Sequence, residues 1–320
     1  MRGAVETPAR EVTGDACQAA RPHPNVEAMS ARPFCLLPQR SVIAVGGADR
    51  VDFLQGLVSN DIARVTPQAA VWAALLTPQG RFLNDMFVAD DGQGTLLLET
   101  ERERAAGLAR KLSMYRLRSK VTVEDRAEAL EVAVAWGPEA TTLLPLDGAV
   151  AFADPRLPDL GVRVIAPAGT ASRLLEARGF AAAPPQAWDE RRLSLGVPDG
   201  SRDLPVEKAL LLENGFDELN GVDWKKGCYM GQELTARTKY RALIKKRLFP
   251  VRVEGPLPAP GATVHQGGEE VGELRSGAGD RALALLRLDA VRSGTPLSAG
   301  DAKLVAEIPG WMRLPEATSP

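Results

Sequence analysis

The chain has 320 residues, 45% of them hydrophobic and 25% charged, with a formal net charge of −2. That is ordinary soluble-protein composition, with length for two or three domains or one large composite body. The near-neutral balance excludes a nucleic-acid coat protein though not a local basic patch, and no apolar run approaches the roughly 18 residues of a membrane span.

Met1 to Ala28 is rich in Ala, Pro and Arg without periodicity, the composition of a disordered tail. It lacks a secretory h-region, and Glu6, Glu11, Asp15 and Glu27 are too many acids for a transit peptide. Residues 1–33 are therefore either an irregular tail or an over-extended reading frame whose true start is Met29.

A strand is expected over Leu36 to Val45, ending at Gly46-Gly47. Asp49 suits a helix N-cap before the apolar stripe Val51, Phe53, Leu54, Leu57 and Val58. Val71 to Leu76 and Phe82 to Ala89 read as a hairpin that bends at Thr77 to Gly80. A short strand follows at Thr95 to Glu99, then an amphipathic helix over Glu101 to Met114. Strands are expected at Val121 to Val123, Leu130 to Trp136 and Val162 to Ala166, with a helix at Ala171 to Arg178 closed by Gly179. This alternation never becomes a regular βαβ repeat, so residues 34–245 read as an α+β body of mixed, mostly antiparallel sheets with helices. From about residue 246 to 320 Gly and Pro become frequent. Strands at Arg247 to Val253, Val271 to Leu274, Ala282 to Leu288 and Lys303 to Ile308, with no helix, suggest a small C-terminal β-barrel.

Three widely spaced cysteines (Cys17, Cys35, Cys228) form no CxxC pair, and His23 and His265 are the only histidines. A disulfide framework is not expected, and a reducing compartment is. The chain cannot supply a multi-histidine metal site, a Ser-His-Asp triad or a four-cysteine cluster site, so no intrinsic metal is expected.

The most informative segment is KKGCYMGQELTAR, Lys225 to Arg237. Gly227 and Gly231 bracket Cys228, and good helix formers begin at Gln232. Two readings are open: a small buried cysteine between turn glycines, or a thiol activated by the following helix N-terminus and by Lys225 and Lys226. Between Lys225 and Arg247 there are eight Lys or Arg (225, 226, 237, 239, 241, 245, 246, 247) against one acid, Glu233. Such a cluster is a solvated face or a site for an anionic partner: a folate polyglutamate, a tRNA backbone or an acidic protein. No RNA-reading motif accompanies it, so direct nucleic-acid binding is not expected.

Lys226 to Glu233, KGCYMGQE, is the signature of the YgfZ-type folate-binding proteins, and the continuation through Lys245-Lys246-Arg247-Leu248-Phe249-Pro250 resembles their mitochondrial branch. Asp49 to Ile62 and the hairpin Thr77 to Val88 resemble segments of the glycine-cleavage aminomethyltransferase, and Arg192 to Pro198 falls at its Arg-x-x-x-Gly-x-Pro turn. The resemblance spans about Leu36 to the end. It implies an aminomethyltransferase-like fold with a C-terminal barrel, tetrahydrofolate or a derivative as ligand, and a role in iron–sulfur cluster assembly or repair with indirect effects on tRNA modification. It implies Cys228, Lys226 and Asp85 as working residues, with Cys228 a transient ligand of a cluster shared with carrier or client proteins. Folate contacts are implied at Asn60, Arg81, Asp85, Gln232, Glu233 and Arg237. The location implied is the cytoplasm of a bacterium or the mitochondrial matrix of a eukaryote. Two departures weaken a transferase: Asn84 stands where the relatives have an acid beside Asp85, and Ser194 replaces the pteridine-binding Glu. An aminomethyltransferase-like enzyme and a non-catalytic folate-binding module are the alternatives.

Overall fold

In the computed structural model, which describes residues 32–241 and 244–315, the chain builds two five-stranded sheets and a closed barrel. The readings made for residues 1–31, including Cys17 and His23, lie outside the described residues. The strand expected from Leu36 to Val45 is two strands, β1 (Pro33–Leu36) and β2 (Arg40–Gly46). Pro38 has no N–H for a ladder, and a turn in which the Arg40 N–H donates to Leu37 O (2.9 Å) sends the halves to different sheets. Helix α1 (Arg50–Gln55) stops before Leu57 and Val58. Asp49 does not cap it, because its carboxylate accepts the Lys120 N–H instead (2.7 Å).

The first sheet has the order β3 (Val71–Leu76), β4 (Phe82–Asp90), β5 (Leu96–Glu101), β2 and β6 (Thr122–Asp125), all neighbours antiparallel. Helix α2 (Arg102–Tyr115) lays Ala105, Leu108 and Leu112 on its outer face. The second sheet joins β1 with β7 (Leu130–Ala135), β8 (Val150–Ala153), β9 (Val162–Pro167) and β10 (Ala181–Ala182), in the order β10-β1-β7-β9-β8. Helix α3 (Ala171–Glu176) covers its outer face. Between the sheets lies the main core, where Trp72, Phe87 and Leu97 of the first meet Val132, Val134 and Phe152 of the second.

Helix α4 (Pro185–Ser194) is absent from the sequence reading, although a proline at its first turn is a legible start signal. After helix α5 (Gln232–Tyr240) the barrel closes in the order β11-β14-β13-β12-β15-β16. Its strands are β11 (Lys246–Glu254), β12 (Thr263–Gln266), β13 (Glu269–Ala278), β14 (Arg281–Arg287), β15 (Leu297–Ala299) and β16 (Ala302–Ala306). One helix does occur in this region: α6 (Leu288–Ser293), which tucks Leu288 and Ala290 into the barrel core. Its six residues are too few for a period to show in the sequence.

The Arg192 to Pro198 segment is the bolt between body and barrel. Arg192 Nη1 donates to Asp203 Oδ2 (2.9 Å) and Nη2 to Ser276 Oγ on β13 (2.8 Å), while Ser276 N–H donates to Asp203 Oδ1 (3.0 Å). Ser194 turns back on its own helix, donating to Arg191 O (2.7 Å).

Candidate functional site

The two segments singled out in the sequence, Asp49 to Ile62 and KGCYMGQE, are stitched together. The Lys226 ammonium donates to Gln55 O and Val58 O (both 2.5 Å) at the end of α1. Gln55 Nε2 donates back to Lys226 O (3.3 Å), Met230 N–H to Gly56 O (3.1 Å) and Asp223 N–H to Ser59 O (3.0 Å). Lys226 also lies 5.0 Å from the centre of the Tyr229 ring. Burial draws its ammonium down to about 8, with Asp61 and Asp223 opposing. The lysine is thus committed to holding the loop.

Gly231 sits at φ +79, and a Cβ there would come 2.4 Å from Thr77 O at the hairpin tip. The hairpin bend therefore presses directly on the entry to α5, and only glycine permits that approach. Gln232 Oε1 accepts the Tyr229 N–H (3.2 Å), closing the turn around the cysteine. Tyr229 points inward and is buried, while Cys228 and Gly227 are exposed. The arrangement is a pinned loop that presents one thiol to solvent. The other described cysteine, Cys35, is buried; burial pushes its thiol up to about 12 and keeps it inert.

Asp85 has a different setting. It projects between the sheets at 2% exposure, with Oδ2 accepting from Trp72 Nε1 (3.0 Å) and Oδ1 3.6 Å from Arg40 Nη1. Around it runs a buried lattice of charge. Glu99 accepts from Arg40 Nε (2.9 Å), Arg163 Nε (2.7 Å) and Arg163 Nη2; Asp154 accepts from Arg156 Nη2 (2.7 Å), and Asp199 lies 3.5 Å from Arg40. The Arg163 and Arg156 guanidiniums stack at 4.1 and 4.7 Å on Phe87. Burial alone would raise Glu99 and Asp154. The arginines outweigh it: Arg163 and Arg40 for Glu99, Arg156 and Arg163 for Asp154, so both carboxyls stay below the usual range. None of these partners of Asp85 was singled out in the sequence. The signal was there: Arg163 is the lone charge inside an otherwise apolar strand, Arg40 opens another, and Glu99 follows directly on three leucines.

The six residues expected to hold folate have different surroundings. Asn60 is buried, its amide donating to Trp72 O (2.7 Å) and Asn220 O (2.6 Å) and accepting from Asp61 N–H (2.8 Å). It ties the segment after α1 to β3 and to Asn220. Arg81 donates to Lys208 O (2.8 Å), Gln232 closes the cysteine turn, and Glu233 and Arg237 stand exposed on α5. A cleft of about 690 Å³ opens elsewhere, lined by Asp217, Glu218, Lys239, Arg247, Trp311 and Arg313 among others. Inside it Glu218 Oε1 accepts from Arg247 Nη2 (2.8 Å), while Glu218 Oε2 and Arg247 Nε are buried without a hydrogen-bond partner among the described residues. One acceptor and one donor are thus left unpaired at the wall of the cleft. Of the basic cluster, Lys239 pairs with Asp217 (3.1 Å) and Arg247 with Glu218, leaving Lys225, Arg237, Arg241, Lys245 and Lys246 on the surface.

Comparison with known proteins follows this division. Residues 39–169 match the GCVT N-terminal domain family and residues 245–314 the CAF17 C-terminal beta-barrel domain family. The fold is similar to that of the glycine cleavage system aminomethyltransferase T from Bartonella henselae, with a TM-score of 0.71 at 16% identity over 87% of this chain and 85% of that one. Across 86% of its length the chain is 36% identical to the mitochondrial iron-sulfur cluster assembly factor IBA57 of Mus musculus, and equally to that of Homo sapiens, covering 84% of each. At that identity and coverage, the chain belongs to the IBA57 family of iron-sulfur cluster assembly factors.

Proposed function

We propose that this chain is an accessory factor in iron–sulfur cluster assembly that lends Cys228 as one sulfur donor to a cluster whose remaining donors come from a carrier or client protein. The observation that carries this is the one exposed thiol among the described residues, on a loop pinned from three sides by α1, the hairpin tip and α5. Among the described residues no three His, Cys, Asp or Glu are grouped to hold a metal ion. With three cysteines in the full sequence the chain cannot supply four cluster thiolates, so the remaining donors come from a second protein, and a rigid exposed cysteine suits transient co-ligation followed by release. The relatives' names, iron-sulfur cluster assembly factors of mitochondria, support the same reading. Cys228→Ser in a deletion strain is expected to leave 4Fe–4S enzyme activities at the level of the deletion, with the protein folded and abundant. Full restoration of those activities by the serine variant overturns the role of the thiol.

Folate binding belongs to this reading as a second element, placed in the cleft beside Glu218. Glu218 would meet ring N–H donors, and Arg313 and Lys239 the glutamate carboxylates, with Trp311 offering its indole. Tetrahydrofolate supplies a one-carbon carrier when bound, but Asp85 is sealed between the sheets and Ser194 is occupied within α4, so binding rather than methylene transfer is the chemistry supported. Calorimetric titration with tetrahydrofolate tests the placement. Glu218→Gln is expected to weaken binding roughly tenfold or more, the scale of one charged hydrogen bond. Unchanged affinity in that variant removes the cleft as the site.

A further inference from the structure

We infer that the exposed face at the C-terminal end of α5 is a docking surface for an acidic protein, the one that shares the cluster with Cys228. Along α5 the exposed residues are Glu233, Arg237 and Tyr240, continued by Arg241, while Thr235 and Thr238 are buried. Arg237 lies four residues after Glu233, and Tyr240 and Arg241 lie three and four after Arg237, which places the exposed set on a single stripe. Tyr240 is 75% exposed, and its ring meets Trp224 edge-on at 6.2 Å. Trp224 is itself fixed, donating from Nε1 to Asp217 (2.6 Å) beneath the Lys239 ammonium, 3.9 Å from its ring. The aromatic anchor is therefore partly ordered before any partner arrives, which lowers the entropic cost of binding. The Trp224 contact also brings the exposed Lys225 to the same end of the helix.

A purely structural account covers part of this. Arg237 and Lys239 in the last turn complement the helix dipole. That does not account for an exposed tyrosine, for Arg241 beyond the helix, or for Lys225 arriving from another segment. Tyr and Arg grouped around a fixed aromatic are what interface centres favour. The nine residues of α5 put this anchor about 14 Å from the end of the cysteine loop. That span fits within the ~800 Å² per partner of a standard interface. One protein can thus bring sulfur donors to Cys228 and acids to Tyr240 and Arg241 together. A protein is favoured over a nucleic acid because Glu233 interrupts the stripe and the thiol itself calls for protein donors. This partner chemistry rests on the proposed role of Cys228.

The test uses the full chain carrying Cys17→Ser, so that Cys228 is the reacting thiol. Two peptides each carry one cysteine as its mixed disulfide with 5-thio-2-nitrobenzoate, a flexible Gly/Ser linker spanning about 14 Å, and a tail rich either in Asp and Glu or in Ser. The Cys228 thiolate attacks the peptide sulfur, a new S–S bond forms, and the coloured nitrothiobenzoate thiolate leaves; no other oxidant is needed. The acidic peptide is expected to react about tenfold or more faster at low ionic strength, with the advantage shrinking in salt. Tyr240→Ser with Arg241→Glu should erase the advantage and leave the neutral peptide's rate unchanged. Equal rates for the two peptides, or an advantage that survives the double variant, overturns the docking face. So does a single-stranded oligonucleotide that displaces the acidic peptide at lower concentration than the free acidic peptide does. The cluster role is judged separately by the deletion strain. Equal peptide rates with a failed Cys228→Ser rescue sink only the docking face, and a full rescue sinks the cluster role even where the acidic peptide docks.

Discussion

Glu99→Gln is expected to lower the unfolding free energy by about 3–5 kcal/mol, because it keeps the side chain's volume while leaving two buried guanidiniums short of a counter-charge. Arg40 and Arg163 both converge on this carboxylate, and all three side chains are at most 3% exposed. Neither arginine can escape by releasing its proton. Without the Glu99 charge, Arg40 has only Asp85 at 3.6 Å and Asp199 at 3.5 Å, and Arg163 only Asp154 at 3.5 Å, all farther away than the Glu99 oxygens are. Urea unfolding at neutral pH measures the difference, and a destabilisation under about 1 kcal/mol would mean water or repacking replaces the carboxylate with ease. The pH dependence gives an independent check. Glu99, Asp154, Asp189 and Asp199 are all held below the usual carboxyl range by arginines that outweigh their burial. Groups depressed in the folded state contribute stability that is fully present above about pH 4 and is lost as pH falls toward their folded values. Wild-type stability should therefore fall below about pH 4. The penalty of the Glu99→Gln variant relative to wild type should shrink over the same range, since the wild-type carboxylate is then being protonated too.

The lattice also shows where sequence reading stops. Periodicity and turn chemistry are local, so the hairpin at Val71 to Ala89, the helix from Arg102 and the barrel strands β11, β14 and β16 were legible with ends shifted by a residue or two, whereas β13 was read four residues short at its end and the short strands β12 and β15 were missed. The split at Pro38 was missed because an apolar run does not say which sheet each half joins. Cys228 was found from its glycines and the wording around it, and the structure exposes it. The companion role of Lys226 was not legible, since its acceptors Gln55 O and Val58 O lie far back in the chain. Asp85 and Asn60 illustrate the same gap. Their residue types suggested ligand chemistry, but both are buried and hydrogen-bonded to Trp72, with Asp85 Oδ1 left without a hydrogen-bond partner among the described residues.

Gly231→Ala is expected to cost roughly 2–5 kcal/mol and to disable Cys228 without touching it, whereas Gly227→Ala should cost only about 1–2 kcal/mol. Both glycines have positive φ, +93 at Gly227 and +79 at Gly231, so each substitution carries the left-handed penalty. Their surroundings differ. A Cβ at Gly227 meets nothing within 4 Å, while at Gly231 it would lie 2.4 Å from Thr77 O, 2.9 Å from Leu76 Cβ and 3.1 Å from Gly80 Cα. Two of those atoms are backbone of the hairpin tip and cannot swing aside. The hairpin has its own closed geometry, with Gly80 N–H donating to Thr77 O (2.8 Å) and Thr77 N–H to Arg81 O (2.8 Å), so the loop is the part that must move. Moving it strains the Lys226 anchors and the Tyr229 turn, and the thiol loses its fixed direction. Thermal unfolding of the two variants, with their rescue of 4Fe–4S enzyme activity in the deletion strain, separates space from conformation. If both alanines destabilise equally and both rescue, the hairpin does not position the cysteine, and the exposed thiol is left without the rigid mount that its proposed role requires.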